Sequence, residues 1–106
     1  MNAMQVTLPW PPKDLNPNVR LHWSKKAKAA AMYRNACHAL TLEAGLRGIP
    51  WEGDVHVWID FYPPDKRHRD DDNMIAAFKS GRDGVAEAGG YPQFYQSYNY
   101  PHVQSM

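Results

Sequence analysis

Two different periods govern where apolar residues fall along this chain. From Val55 to Tyr62 the period is two. Val55, Val57, Ile59 and Phe61 lie on one side, and His56, Trp58, Asp60 and Tyr62 on the other. That is the pattern of a strand with one buried face. On either side of it the period becomes helical. Ser24 is a plausible N-cap for a helix from about Lys25 to Ala44, with Gly45 just past its end. Five alanines between Ala27 and Ala36 favour that helix. Met32, Ala36, Leu40 and Ala44 form its expected apolar stripe, with Tyr33 and Cys37 beside it. A second helix is predicted from about Asn73 to Ala88, capped by Asp72 or Asn73. Met74, Phe78, Gly81, Val85 and Ala88 share its inward face, with Ile75 alongside, and Gly81 and Gly84 allow close approach to the sheet or another subunit.

The connections carry their own signals. Gln5 to Leu8 reads as a short strand, and Pro9, Pro11 and Pro12 then hold the chain extended around Trp10. Asn16-Pro17 marks a turn, and Gly48, Pro50 and Gly53 mark the link into the strand. Trp10 and Trp23 could stack on bases, but each is read as anchoring its connection to the core. Strands and helices together make the fold class α+β. Beyond Ala88 no period is sustained. Residues 89–106 hold four of the six tyrosines and no acid, and are predicted to be an irregular Tyr-rich tail.

Composition narrows the partners. At 106 residues the chain is one domain, small enough that pairing with a second copy would help bury apolar surface. The net charge is only +1, so any nucleic-acid footprint is local. It would include Lys25, Lys26 and Lys28, where no acid intervenes between Asp14 and Glu43; a lysine-rich solvated helix face is the competing reading. The single cysteine, Cys37, cannot form an internal disulfide and is read as core. No apolar run is long enough for a membrane span and no secretion signal opens the chain, so a cytoplasmic location is expected.

The chemistry concentrates in residues 65–79, where three cations and a histidine precede three consecutive aspartates. Adjacent carboxylates repel unless a divalent ion relieves them, and Mg²⁺ takes one or two carboxylates with waters and phosphate. In extended backbone Asp70 and Asp72 would point the same way and could share one ion. The following helix start favours anions, and Lys79 lies two turns beyond Asp72 on the same face. Lys66, Arg67, Arg69 and Asn73 flank the acids as candidate phosphate contacts. Asp-x-Asp on its own also suits a solvated loop or a metal-nucleotide site.

The longer string is more specific. An arginine-led Asp70-x-Asp72-Asn73, followed by Ala76-Ala77-Phe78-Lys79-x-x-Arg82-Asp83-Gly84, resembles the RusA family of Holliday junction resolvases. Thr7-Leu8-Pro9-Trp10-Pro11-Pro12 and Asn16-Pro17-Asn18 are similar to the family's opening. The resemblance implies a RusA-like nuclease domain over residues 1–88, with a small mixed β-sheet packed with two main helices. It implies a homodimer that cleaves four-way or branched DNA with Mg²⁺, or Mn²⁺ in its place, in recombination and repair. Carried over, Asp70 and Asp72 are metal ligands and catalytic residues, with Lys79 a catalytic or phosphate-contacting lysine. The chain departs from the family after Ala88: a third acidic ligand has no matching position and the C-terminal strands are missing or altered. A frame change or truncation would produce such a departure, and the same fold would then bind branched DNA with weak or no cleavage.

Overall fold

The computed structural model describes residues 5–45, 56–65, 69–90 and 95–99. Two helices and two strands organise it: α1 (Trp23–Glu43), β1 (His56–Asp60), α2 (Asp71–Gly89) and β2 (Tyr95–Asn99). The fold is α+β, as the two periods predict. The sheet differs from the expectation of a mixed one, because its two described strands pair in parallel, His56 opposite Tyr95 through Asp60 opposite Asn99. Parallel strands cannot be joined by a tight turn, and α2 supplies the crossover between them.

At residues 95–99 the strand β2 replaces the irregular tail expected over 89–106; residues 91–94 and 100–106 lie outside the described residues. Tyr98 explains the strand. Opposite Ile59 in the register, Tyr98 stacks on Phe61 at 5.9 Å between ring centroids. One inward aromatic and a ladder of backbone hydrogen bonds suffice to hold a polar segment beside a strand some forty residues earlier. Such a pairing leaves no local period. No strand is formed at Gln5–Leu8 among the described residues, where a short one was expected, as prolines just beyond it would favour.

Phe61 is the hub of the core. It meets Trp10 at 6.1 Å and Phe78 at 5.9 Å, both edge-on, besides the Tyr98 stack. Such edge-to-face pairs add about 0.5–1.5 kcal/mol each beyond area burial. Trp10 is therefore the core anchor expected of it. Trp23 is not: it is 75% exposed.

The inward face of α2 is the one its period predicts, with Met74, Phe78, Gly81, Val85 and Ala88 all buried. On α1 the seam is rotated by one position. Tyr33, Cys37 and Thr41 are buried, while Met32 is 64% exposed. Alanine covers so much of this helix that composition does not mark a face, and the larger Tyr33 ring decides it by packing on Phe78 at 6.4 Å. The cap of α1 also moves. His22 occupies the N-cap, its Nδ1 accepting from the Ser24 amide at 3.2 Å, so Ser24 is inside the helix. Gly45 ends it as expected, in the left-handed conformation at φ +83°.

Glycines draw the two helices together, and the close contact is with α1 rather than with the sheet. A Cβ at position 84 would lie 2.3 Å from the Arg34 carbonyl oxygen, and one at 81 would lie 2.6 Å from the Tyr33 ring. Contact advances in the same sense along both helices: Tyr33 to Phe78 and Gly81, Arg34 and His38 to Gly84, His38 to Glu87. Their N-terminal ends therefore lie toward the same end of the pair.

Candidate nucleic-acid and metal site

Ten residues beyond the end of β1 at Asp60, the aspartates stand at the start of α2. Asp70 is the N-cap residue, φ −77° and ψ 130°, and its carbonyl accepts the first helical bond from Met74 at 3.0 Å. This corrects the assignment of the cap to Asp72 or Asn73, which already have helical backbone. It also removes the premise that Asp70 and Asp72 alternate along extended chain, since α2 starts at Asp71.

The Asp70 side chain makes no capping hydrogen bond. Asp70, Asp71 and Asp72 are all exposed, and among the described residues none has an ion pair. Asp71 and Asp72 in the first turn, with Asp70 at the N-cap, favour the helix macrodipole, each by about 0.3–1 kcal/mol, and oppose one another. Among the described residues no group of three or more His, Cys, Asp or Glu could hold a metal. Two carboxylates with open water-facing positions still fit the sparse protein coordination that Mg²⁺ accepts. Asp83 and Glu87, the acids that could have replaced a third ligand, are engaged elsewhere. Asp83 faces Arg82 at 3.5 Å and Glu87 meets His38 at 3.0 Å.

The candidate cations divide. Lys79 is exposed on α2, about 10 Å along the axis from Asp72 at 1.5 Å per residue. Helical side chains lean toward the N-terminus, which shortens the reach back to the acids. Lys25, Lys26 and Lys28 occupy the first two turns of α1, at the end of the helix pair where α2 begins. Arg69 is committed locally: it meets the Asp65 carboxylate at 2.9 Å and lies 5.3 Å from the Trp10 ring centre. Those contacts tie Arg69 to Asp65 and to the Trp10 side of the core. Asn73 is half-buried in the first turn of α2. Lys66 and Arg67 lie outside the described residues.

Two arrangements were not evident from the sequence. A groove of about 490 Å³ runs between the helices, lined by both alanine-rich faces together with Leu15, Arg34, Lys79, Ser80 and Asp83. The alanines at 27, 30 and 31 facing those at 76 and 77 were its only signal. The other is the buried pair on α1. Tyr33 donates to the Pro9 carbonyl at 2.6 Å, and burial, with Cys37 alongside, pushes its phenol far above the ordinary value. Burial likewise raises the thiol of Cys37, which suits a core residue and not a nucleophile.

No family model and no solved structure matches the chain. It is similar to an uncharacterized protein of Xylella fastidiosa (strain Temecula1), 48% identical over 87 residues, which span 80% of this chain and 57% of the relative. The chain thus matches little more than half the length of that protein. Among the described residues no helix is long and apolar enough to cross a membrane.

Proposed function

We propose that this chain is a RusA-like, Mg²⁺-dependent structure-specific endodeoxyribonuclease acting on four-way or branched DNA. The observation that carries the reading is the pair of exposed carboxylates at the start of α2, Asp70 and Asp72, which have no ion pair among the described residues. The lysines of the first turns of α1 stand at that same end. Asp70 and Asp72 would hold the ion. When bound, Mg²⁺ polarises a phosphoryl oxygen, lowers the pKa of a water and steadies the leaving oxygen. Lys79 places a positive charge where the phosphorane-like transition state accumulates negative charge. Lys25, Lys26 and Lys28, with Lys66 and Arg67, position the backbone without reading bases. A homodimer with twofold symmetry suits paired cuts in a four-way junction.

A second reading has its own observation. With Asp83 and Glu87 engaged by other side chains, the described residues supply two ligands, and misplacement by about 1 Å can cost roughly a hundredfold in rate. A branched-DNA-binding protein without efficient cleavage follows from that. Incubating a labelled four-way junction with Mg²⁺ distinguishes the two, with Asp70→Asn and Asp72→Asn as controls. Metal-dependent product abolished by either variant supports the nuclease. Retardation of the junction with no product at any Mg²⁺ concentration supports the binder, and neither retardation nor product overturns both.

A further inference from the structure

The groove between α1 and α2 brings together groups that a neutral, apolar cleft has no use for. Arg34 comes from α1 and Lys79 from α2, and among the described residues neither has an ion-pair partner. Ser80 lines the same groove, and among the described residues its buried Oγ has no hydrogen-bond partner. An orphaned buried hydroxyl costs about 1–3 kcal/mol, and Arg34 and Lys79 are both exposed, one on each side of the groove. An anion seated there would meet both cations and could satisfy the hydroxyl. The one acid in the lining, Asp83, is already met by Arg82 at 3.5 Å, so the lining stays positive. Alanine walls at 27, 30, 31, 76 and 77 leave room for a backbone group to approach.

From this we infer that Arg34 and Lys79 clamp one phosphate of a bound strand across the two helices, with the Ser80 hydroxyl donating to a phosphate oxygen. The inference rests on the nucleic-acid reading above and adds Arg34 and Ser80 as positioning residues to it. Asp72, Ala76, Lys79 and Asp83 follow one face of α2, so the clamped phosphate sits beside the strand segment at the acids. Arginine suits this place, because its planar fork binds two phosphate oxygens at once.

The test uses the full chain and a four-way junction without divalent ion, with affinity measured across a salt series. Each phosphate neutralised contributes about 0.9 to the slope of log K against log salt. The double variant Arg34→Gln, Lys79→Gln is therefore expected to lose about 1 from the slope, not 2. The single variants should be coupled, because both cations serve one phosphate. Arg34→Lys should restore the slope but not the full affinity, and Ser80→Ala should weaken binding with the slope unchanged. Circular dichroism confirms that each variant is folded. An unchanged slope in the double variant, with tight binding by the parent, overturns the clamp and leaves the nuclease reading intact. If the parent binds no DNA, that reading fails. Titration with inorganic phosphate, followed by amide shifts at Arg34 and Ser80, then decides the groove alone: saturable shifts keep an anion seat for a free phosphoryl group, and their absence rejects it.

Discussion

The carbonyl oxygen of Arg34 stands 2.3 Å from where a Cβ on Gly84 would be. That contact is backbone against backbone, so no side chain can swing aside to relieve it. Replacing Gly84 with alanine should force α1 and α2 apart. Alanine would add about 1 kcal/mol of helix propensity, but overpacking of about 1–3 kcal/mol or more outweighs it. At Gly81 a methyl meets the rings of Tyr33 and Phe78, side chains that can yield more than a backbone carbonyl can. Thermal unfolding should therefore show a larger drop in Tm for Gly84→Ala than for Gly81→Ala. Equal drops would mean that the helices are not held this close.

Tyr33 tethers the N-terminal segment to α1. Its hydroxyl reaches the Pro9 carbonyl at 2.6 Å while its ring packs edge-on against Phe78. Tyr33→Phe keeps the ring and loses the bond, so denaturant unfolding should show a loss of about 0.5–1.5 kcal/mol. Proteolysis at residues 5–12 should become faster. Unaltered protection there would show that Trp10 alone secures the segment.

Stability should decline on the alkaline side. Burial raises the Cys37 thiol above its ordinary 9.0 and the Tyr33 phenol above 10.0. Near and above those values the unfolded chain releases protons that the folded chain keeps. Stability is thus fully present below about pH 9 and is lost as pH rises. Cys37→Ala should delay the onset toward pH 10, a shift readable in urea midpoints across pH 8–11. In the native protein the thiol should also resist maleimide until the chain opens.

His38 and Glu87 join the two helices at 3.0 Å, but both side chains are partly exposed. Exposed pairs contribute about 0–1 kcal/mol. A double-mutant cycle with His38→Ala and Glu87→Ala should return a coupling below about 1 kcal/mol that shrinks in high salt. A coupling several times larger would require the pair to be desolvated by something not yet in contact with it.

With two carboxylates from the chain, Mg²⁺ alone should bind weakly, with a dissociation constant on the order of a millimolar or above. Junction DNA supplies phosphate oxygens, so calorimetry should show tighter uptake when it is present. Asp72→Asn should remove the difference. Identical affinity with and without DNA would argue that the aspartates and the phosphate do not share an ion.

The strand at His56–Asp60 and the inward face of α2 were legible because each repeats its apolar residues at the period of its own backbone. The end of α1 was legible for a similar reason, since Gly45 can take the left-handed turn that other residues avoid. The seam of α1 was not. Alanine looks alike on every side of a helix, and only contact with Phe78 and Gly81 selects Tyr33 and Cys37. The strand at Tyr95–Asn99 was hidden because its partner lies some forty residues away and most of its residues are polar.

The candidate site divides along the same line. The sequence alone determined that three aspartates precede a helix and that basic residues crowd the start of another, because charge type and helical period are local properties. Tertiary structure decided which of those charges remain available. Packing assigned Arg69 to Asp65 and Trp10 and Glu87 to His38, and it brought Arg34 and Lys79 to one groove, since contacts between distant segments depend on how closely two backbones can approach.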